Sequence, residues 1–232
     1  MTVVISVGGS IIAPDGVDTQ FVRGFSAVVR NYVAVAGNRM ILICGGGAPA
    51  RRYQQAYREI AAQPADAEQD HIGIAATRLN AALLHAALAD CTSEPLVTRP
   101  DSISSFDGPV LLAGGWKPGF STDYVAVTLA EACGAATVIN LSNIDQVYSA
   151  DPRVDRSAVP LHSVSWSDFQ QLVGTEWVPG ANLPFDPIAT RRAAELGLTV
   201  IAAGKDLANL EKILSGRPFF GTTIGTTIGA EG

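Results

Sequence analysis

Residues 2–10 read TVVISVGGS. A near-continuous β-branched run suits a strand covered on both faces, and this one ends in the glycines Gly8 and Gly9. The arrangement recurs. MILIC at Met40–Cys44 runs into Gly45-Gly46-Gly47, and PVLLA at Pro109–Ala113 runs into Gly114-Gly115. Two further β-rich runs lie at Thr137–Leu141 and Leu198–Ala203. Between them, apolar spacing predicts helices over Thr19–Val35, Ala50–Ala61, Ile72–Ala89, Asp123–Cys133, Pro187–Leu196 and Leu207–Leu214. Strands alternating with helices imply right-handed crossovers and a mostly parallel α/β sheet with helices on both faces.

The rest of the chain adds boundaries to that frame. Its 232 residues suit one large domain, and no linker divides them. The segment Ser142–Pro187 is rich in Ser, Asp and Pro and reads as loops with short strands and one helix near Ser165–Val173. The tail Gly221–Gly229 repeats GTTIG and reads as a terminal strand or a frayed end. Hydrophobic residues are 47% and aromatics 7%, so the core rests mainly on Ala, Val, Ile and Leu rather than being too polar to fold. A net charge of −6 argues against a general nucleic-acid or anionic-membrane surface. Cys44, Cys91 and Cys133 form neither a paired framework nor a CxxC. The N-terminus lacks the basic segment of a signal peptide, and no run of 18 apolar residues occurs. The expectation is a soluble, cytoplasmic protein.

In open α/β sheets ligands bind beyond the carboxyl ends of the strands, which is where the glycine clusters fall. Glycine allows a tight turn and close backbone approach, and a following helix offers free amides to an anion. Three such turns suggest a cleft for several phosphates. Neither GxxxxGK[ST] nor GxGxxG is present, so the phosphate-binding arrangement is of another kind.

The ordered set GGS (Gly8–Ser10), GGGAPARRY (Gly45–Tyr53), DHIGIAATRLNAALL (Asp70–Leu84), GGWKPGFSTD (Gly114–Asp123), NLSNIDQVYSADPR (Asn140–Arg153), DPIAT (Asp186–Thr190) and the terminal GTTI resembles the amino acid kinase superfamily. Within it, the set resembles the archaeal-type uridylate (UMP) kinases, over nearly the whole chain. The resemblance implies a three-layer αβα sandwich with a mostly parallel central sheet. It further implies phosphate transfer from MgATP to UMP in pyrimidine nucleotide biosynthesis, and commonly a homo-hexamer. One domain with two lobes is expected, an acceptor lobe over about 1–135 and an ATP lobe over about 136–232.

By that resemblance, Ser6, Gly8, Gly9, Ser10, Gly47, Arg51, Ser142, Asn143, Tyr148 and Asp151 are expected at ATP. Gly45, Gly46, Asp70, Gly115, Trp116, Lys117, Pro118, Gly119, Phe120, Ser121 and Thr122 are expected at UMP. Gly9, Ser10, Lys117, Asp123 and Lys205 are the catalytic candidates, with Mg²⁺ accompanying ATP and no metal ligand assigned to the protein. The residues themselves permit plainer readings. Asp70 precedes the helix expected at Ile72 and suits a cap as well as a ribose. Asp186 before Pro187 also suits a cap, Asp145 suits a turn, and Arg52 suits the surface. Trp116 would stack on the base or cover its loop. His71, His85 and His162 show no metal spacing and receive no role.

Two positions depart from the family pattern. Many superfamily members carry lysine two residues before GGS, where this chain has Ser6, and Gln146 stands where NxDG has glycine. The only lysines are Lys117, Lys205 and Lys212. Lys117 or Lys205, with Mg²⁺ and Arg51, is therefore expected to supply the missing charge. Kinases of carbamate, acetylglutamate or isopentenyl phosphate, and a non-catalytic nucleotide or oxyanion binder, are the alternatives on the same fold.

Overall fold

The β-branched runs form the centre of the molecule. In the computed structural model, which describes residues 1–152, 154–174 and 183–225, the chain begins with β1 (Thr2–Val7), a single helical turn α1 (Gly9–Ile12), α2 (Thr19–Val33), β2 (Arg39–Cys44), α3 (Gly47–Ile60) and α4 (Asp66–Ala87). It continues through β3 (Val110–Ala113), α5 (Thr122–Ala132), β4 (Thr137–Leu141), β5 (Val147–Tyr148), β6 (Pro160–Leu161), β7 (Ser163–Val164) and α6 (Trp166–Val173). It closes with α7 (Pro187–Glu195), β8 (Thr199–Ala203), α8 (Leu207–Leu214) and β9 (Thr222–Ile224). The first GTTI of the tail contributes β9; the second copy lies outside the described residues.

Seven strands form one sheet in the order β3-β2-β1-β4-β8-β9-β7. Every neighbouring pair is parallel except β8 with β9. Alternate residues of each strand face opposite layers, as a two-residue side-chain period requires. Val3, Ile5 and Val7 join Met40, Leu42 and Cys44 in a core shared with Phe21, Phe25 and Val29 of α2, Leu84 of α4 and Leu210 of α8. Val4, Ile41 and Ile43 face the other way, against Val125 and Leu129 of α5, Phe169 of α6 and Ala189 of α7. This is the αβα sandwich with a mostly parallel sheet.

The strand order positions the ligand cleft. From β1 the chain adds β2 and β3 on one side, then returns to place β4 and β8 on the other. The order reverses between β1 and β4, and open sheets bind ligands at such switch points. There Gly8 donates its amide to Leu141 O at 2.7 Å, tying the two strand ends together.

Two boundaries differ from the sequence expectation. Helix α4 starts at Asp66 rather than Ile72, because its first turns are polar and exposed and carry no apolar period. Asp70 therefore lies inside the helix, with Ala65 at the cap position, and the capping reading falls away. The segment GSII forms a helical turn, too short to show a period.

Candidate active site

The first two glycine turns serve each other before they serve any ligand. A Cβ on Gly9 would collide with the backbone of Gly47, and would lie 2.6 Å from both Gly45 C and Gly46 C. Gly47 also has φ +65°, a left-handed conformation that favours glycine. Ala48 donates to Ala13 O at 2.9 Å, fastening the start of α3 to the end of α1. Close packing brings Ser10 and Arg51 to one rim.

Beyond this junction is a cavity of about 460 Å³. Ser10, Ile11, Pro14 and Arg51 line it from one side, and Ser142, Asn143, Asp145 and Lys205 from the other. Ser10, Arg51, Ser142 and Asn143, expected at ATP, and the catalytic candidate Lys205 thus meet from four separate stretches of chain. Asp145 joins them, lying against the Gly204–Lys205 turn so closely that a Cβ on Gly204 would collide with its carboxylate. Arg52 points elsewhere and pairs with Asp15 on the surface.

Tyr148 and Asp151 do not line this cavity. Tyr148 pairs with Pro160 in the two-stranded β5–β6 ribbon, and Asp151 follows the ribbon's first strand. Gln146 does not disturb the local turn, since no described non-glycine residue has a positive φ. Its side chain is buried and donates to Gly221 O at 3.2 Å, so it ties this loop to the start of β9.

The Gly115–Thr122 loop is held against α4. Gly119 donates its amide to Asp70 Oδ2 at 2.7 Å, and its φ of +84° needs glycine. Lys117 sits over aromatic rings, its Nζ 3.9 Å from the Trp116 centroid and 5.0 Å from that of Phe120. Phe120 in turn packs between Trp116 and Tyr124. Pro118 lies in the intervening turn. Ser121 caps α5 by accepting from Tyr124 N at 3.1 Å, and Thr122 is the first helical residue.

Asp123 lies deeper. Ser6 is buried, and its hydroxyl donates to Asp123 Oδ1 at 3.0 Å rather than lining the cavity. Asp186 N donates to Asp123 Oδ2 at 3.2 Å. Burial, and then the Asp186 carboxylate, push the Asp123 carboxyl up to about 7, against the hydrogen bonds from Ser6 and Asp186 N. Asp186 is the α7 cap, accepting from Ala189 N at 2.6 Å. Its own carboxyl is raised, chiefly by burial. Ser6 therefore fills the family's lysine position with a neutral anchor for Asp123.

Sequence reasoning missed Thr77, Arg78 and Asn80 of α4. Thr77 Oγ1 accepts from Gly115 N at 2.7 Å and donates to Ile74 O at 2.6 Å. Arg78 donates to Gly115 O and Trp116 O, and Asn80 to Gly45 O and Gly46 O. A polar residue on a long helix reads as solvent-facing. The available signal was that these three share a narrow stretch of helix with Ala76 and Ala81.

The sheet reversal, paired glycine turns and cationic cavity define a phosphate-handling α/β protein, and the chain belongs to the amino acid kinase family, whose sequence profile matches residues 1–202. More particularly, it is 35% identical over 227 residues to the uridylate kinase of Methanospirillum hungatei, covering 96% of this chain and 94% of that one. The uridylate kinase of Methanocorpusculum labreanum is 36% identical, covering 97% of this chain and 96% of its own. The crystal structure of uridylate kinase from Archaeoglobus fulgidus superposes with a TM-score of 0.83 at 30% identity, over 97% of this chain and 100% of that one.

Proposed function

We propose that the protein is an ATP-dependent UMP kinase, forming UDP and ADP. The observation that carries this reading is the cavity at the β1/β4 switch point, which joins Ser10, Arg51, Ser142, Asn143 and Lys205. Similarity to uridylate kinases over nearly the full length supports UMP as acceptor. In this reading residues up to about 135 form the acceptor lobe and the remainder the ATP lobe.

The chemistry asks little covalent work of the protein. An oxygen of the UMP phosphate attacks the γ-phosphorus, the β–γ bridging P–O bond breaks, and the electron pair leaves on ADP. The attacking oxygen is already anionic, so no general base is needed. What is needed is alignment of two polyanions and neutralisation of their charge. Arg51 and Lys205 bring fixed positive charge to the cavity, with Ser10, Ser142 and Asn143 as polar contacts. Lys205 takes the role left vacant at Ser6. Lys117, drawn onto Trp116 and Phe120, serves the acceptor loop.

Among the described residues no group of three His, Cys, Asp or Glu side chains could cage a metal. One carboxylate in the cavity, Asp145, suits Mg²⁺, which is commonly held by one or two carboxylates and substrate phosphates. When bound with ATP, the ion would neutralise charge on the phosphates.

Asp70 and the Gly115–Thr122 loop would receive UMP, with the Trp116–Phe120–Tyr124 rings available for stacking on the base. The cytoplasm is the proposed compartment, in pyrimidine nucleotide synthesis; among the described residues no helix is long and apolar enough to cross a membrane. Homo-oligomer formation, a hexamer by resemblance, is supported by α3, which buries only Ala48 and exposes Tyr53 and Ile60.

A coupled assay of ADP production with UMP, CMP, carbamate, N-acetylglutamate and isopentenyl phosphate tests the proposal. UMP is expected to give the highest kcat/KM. A preference for a non-nucleotide acceptor, or ATP binding without turnover on any acceptor, would refute it.

A further inference from the structure

Two side chains two residues apart on α4 perform the same operation on two different loops. Asn80 Nδ2 donates to the consecutive carbonyls of Gly45, at 2.7 Å, and Gly46, at 3.2 Å. Arg78 donates from Nε to Gly115 O at 3.1 Å and from Nη2 to the next carbonyl, Trp116 O, at 2.9 Å. A further bond from Arg78 Nη2 to Thr98 O at 3.4 Å steadies the guanidinium. Asn80 is 3% exposed, and a buried amide is costly unless it is used.

The described peptide bonds are all trans. In a planar trans peptide the C=O and N–H point in opposite directions. Holding the Gly45 and Gly46 carbonyls from the α4 side therefore turns the Gly46 and Gly47 amides away from α4. Holding the Gly115 and Trp116 carbonyls does the same for the Trp116 and Lys117 amides. None of these four amides has an acceptor among the described residues. Gly46, Gly47 and Trp116 are half-buried, where an amide is rarely left without one unless a ligand or water supplies it, while Lys117 is exposed. Gly46 lies at φ −81°, ψ −31° and Gly47 at φ +65°, and the amide that follows them, Ala48 N, is already held by Ala13 O at 2.9 Å, which leaves the Gly46 and Gly47 amides as the pair open to a ligand.

We propose that Asn80 and Arg78 are positioning residues, each fixing two consecutive carbonyls so that the Gly46/Gly47 and Trp116/Lys117 amide pairs face the phosphate of the acceptor nucleotide. This rests on the UMP kinase reading and assigns the acceptor phosphate largely to backbone donors. Arg78 adds a fixed positive charge behind two peptide dipoles without touching substrate, strengthening them at low local dielectric. In a chain with three lysines, this supplies anion affinity that residue counting does not reveal.

Isothermal titration of UMP and of uridine, which lacks the phosphate, into wild type, Asn80→Ala, Arg78→Lys and Arg78→Met is the test. Kinetic KM values for ATP and UMP accompany it. Each variant is expected to weaken UMP binding on the order of 10-fold, the scale of a hydrogen bond involving a charged group. Uridine binding and the KM for ATP should change less than about 2-fold, with Arg78→Lys retaining more affinity than Arg78→Met. Equal losses for UMP and uridine, or no loss for UMP, would overturn the inference. If Asn80→Ala does not fold, the half-buried Arg78 pair carries the same test. Wild-type turnover separates the two levels: a UMP-active enzyme whose variants lose UMP and uridine alike refutes only the positioning role, whereas a wild type inactive on UMP refutes the function itself.

Discussion

The two sides of the cleft, which we assign to ATP and to UMP, are built from different materials. On the proposed donor side, Arg51 reaches an open cavity from the start of α3 and Asp145 and Lys205 from turns, so exposed charged groups would do the binding. On the acceptor side, backbone lines the loops, and the side chains that matter stand behind them: Thr77, Arg78 and Asn80. Asp70 also fastens the acceptor loop, through Gly119 N. By this division a lysine-poor, acidic chain can handle two polyanions. In the proposed reading, charge is concentrated where the phosphoryl group would move, while oriented peptide dipoles would serve where the acceptor is held.

Removing charge from the donor side is expected to have the largest effect. Loss of a donor preorganised for the transition state typically costs ~2.7–4 kcal/mol, or ~100–1,000-fold in kcat. Lys205→Ala should fall in that range, with UMP binding by titration largely unchanged. A loss of only a few-fold would remove Lys205 from the chemistry and break the contrast.

Next comes the junction that both sides share. Gly9→Ala places a methyl group into the Gly45–Gly47 backbone. Overpacking of this kind costs roughly 1–3 kcal/mol. A lower urea midpoint and weakened affinity for both nucleotides are expected. Unchanged stability and affinity would show that the two glycine turns are not tightly packed.

A smaller, pH-dependent effect belongs to Asp123. Its carboxyl is raised from 3.8 to about 7, so the folded state binds its proton more tightly than the unfolded state does. That stabilising preference is complete below about 4 and is lost as pH rises through about 7. Asp123→Asn removes the ionisation. Relative to wild type, its stability should improve progressively from about pH 4 to about pH 7 and hold steady above that, by a few kcal/mol at most. Urea unfolding at three pH values measures this, and a difference that does not vary with pH would contradict the buried carboxylate.

The smallest effect is expected at Lys117. Its ammonium rests on Trp116 and Phe120 at the acceptor loop. A cation–π contact at an exposed site is worth ~0.5–1 kcal/mol. Lys117→Ala should therefore change kcat less than about 5-fold in steady-state assays. A loss matching that of Lys205→Ala would move the missing positive charge to the acceptor side.

The sheet was legible because fully covered strands leave uninterrupted β-branched runs, and Thr2–Val7 and Thr137–Leu141 form strands with the expected bounds. The meeting of Ser10, Arg51 and Lys205 around one cavity was legible because each follows a glycine turn at a strand end, where a parallel sheet binds ligands. The start of α4 was not, because Asp66–Glu68 face solvent and carry no large apolar side chain to set a period. Nor were Arg78 and Asn80, since their partners are carbonyls on loops 20 to 38 residues distant in sequence. No local pattern in a helix announces such partners. Ser6 could be seen as a departure from the family, but its bond to Asp123 spans 117 residues and needed the fold.

On the proposed function, this cleft transfers phosphate from ATP to UMP. Phosphorus NMR of the enzyme with MgATP and UMP tests it most directly, because donor and acceptor products are seen together. UDP and ADP appearing in equal amounts at a common rate is the expected result. ADP released with inorganic phosphate and no UDP, or no change in ATP at all, would contradict it.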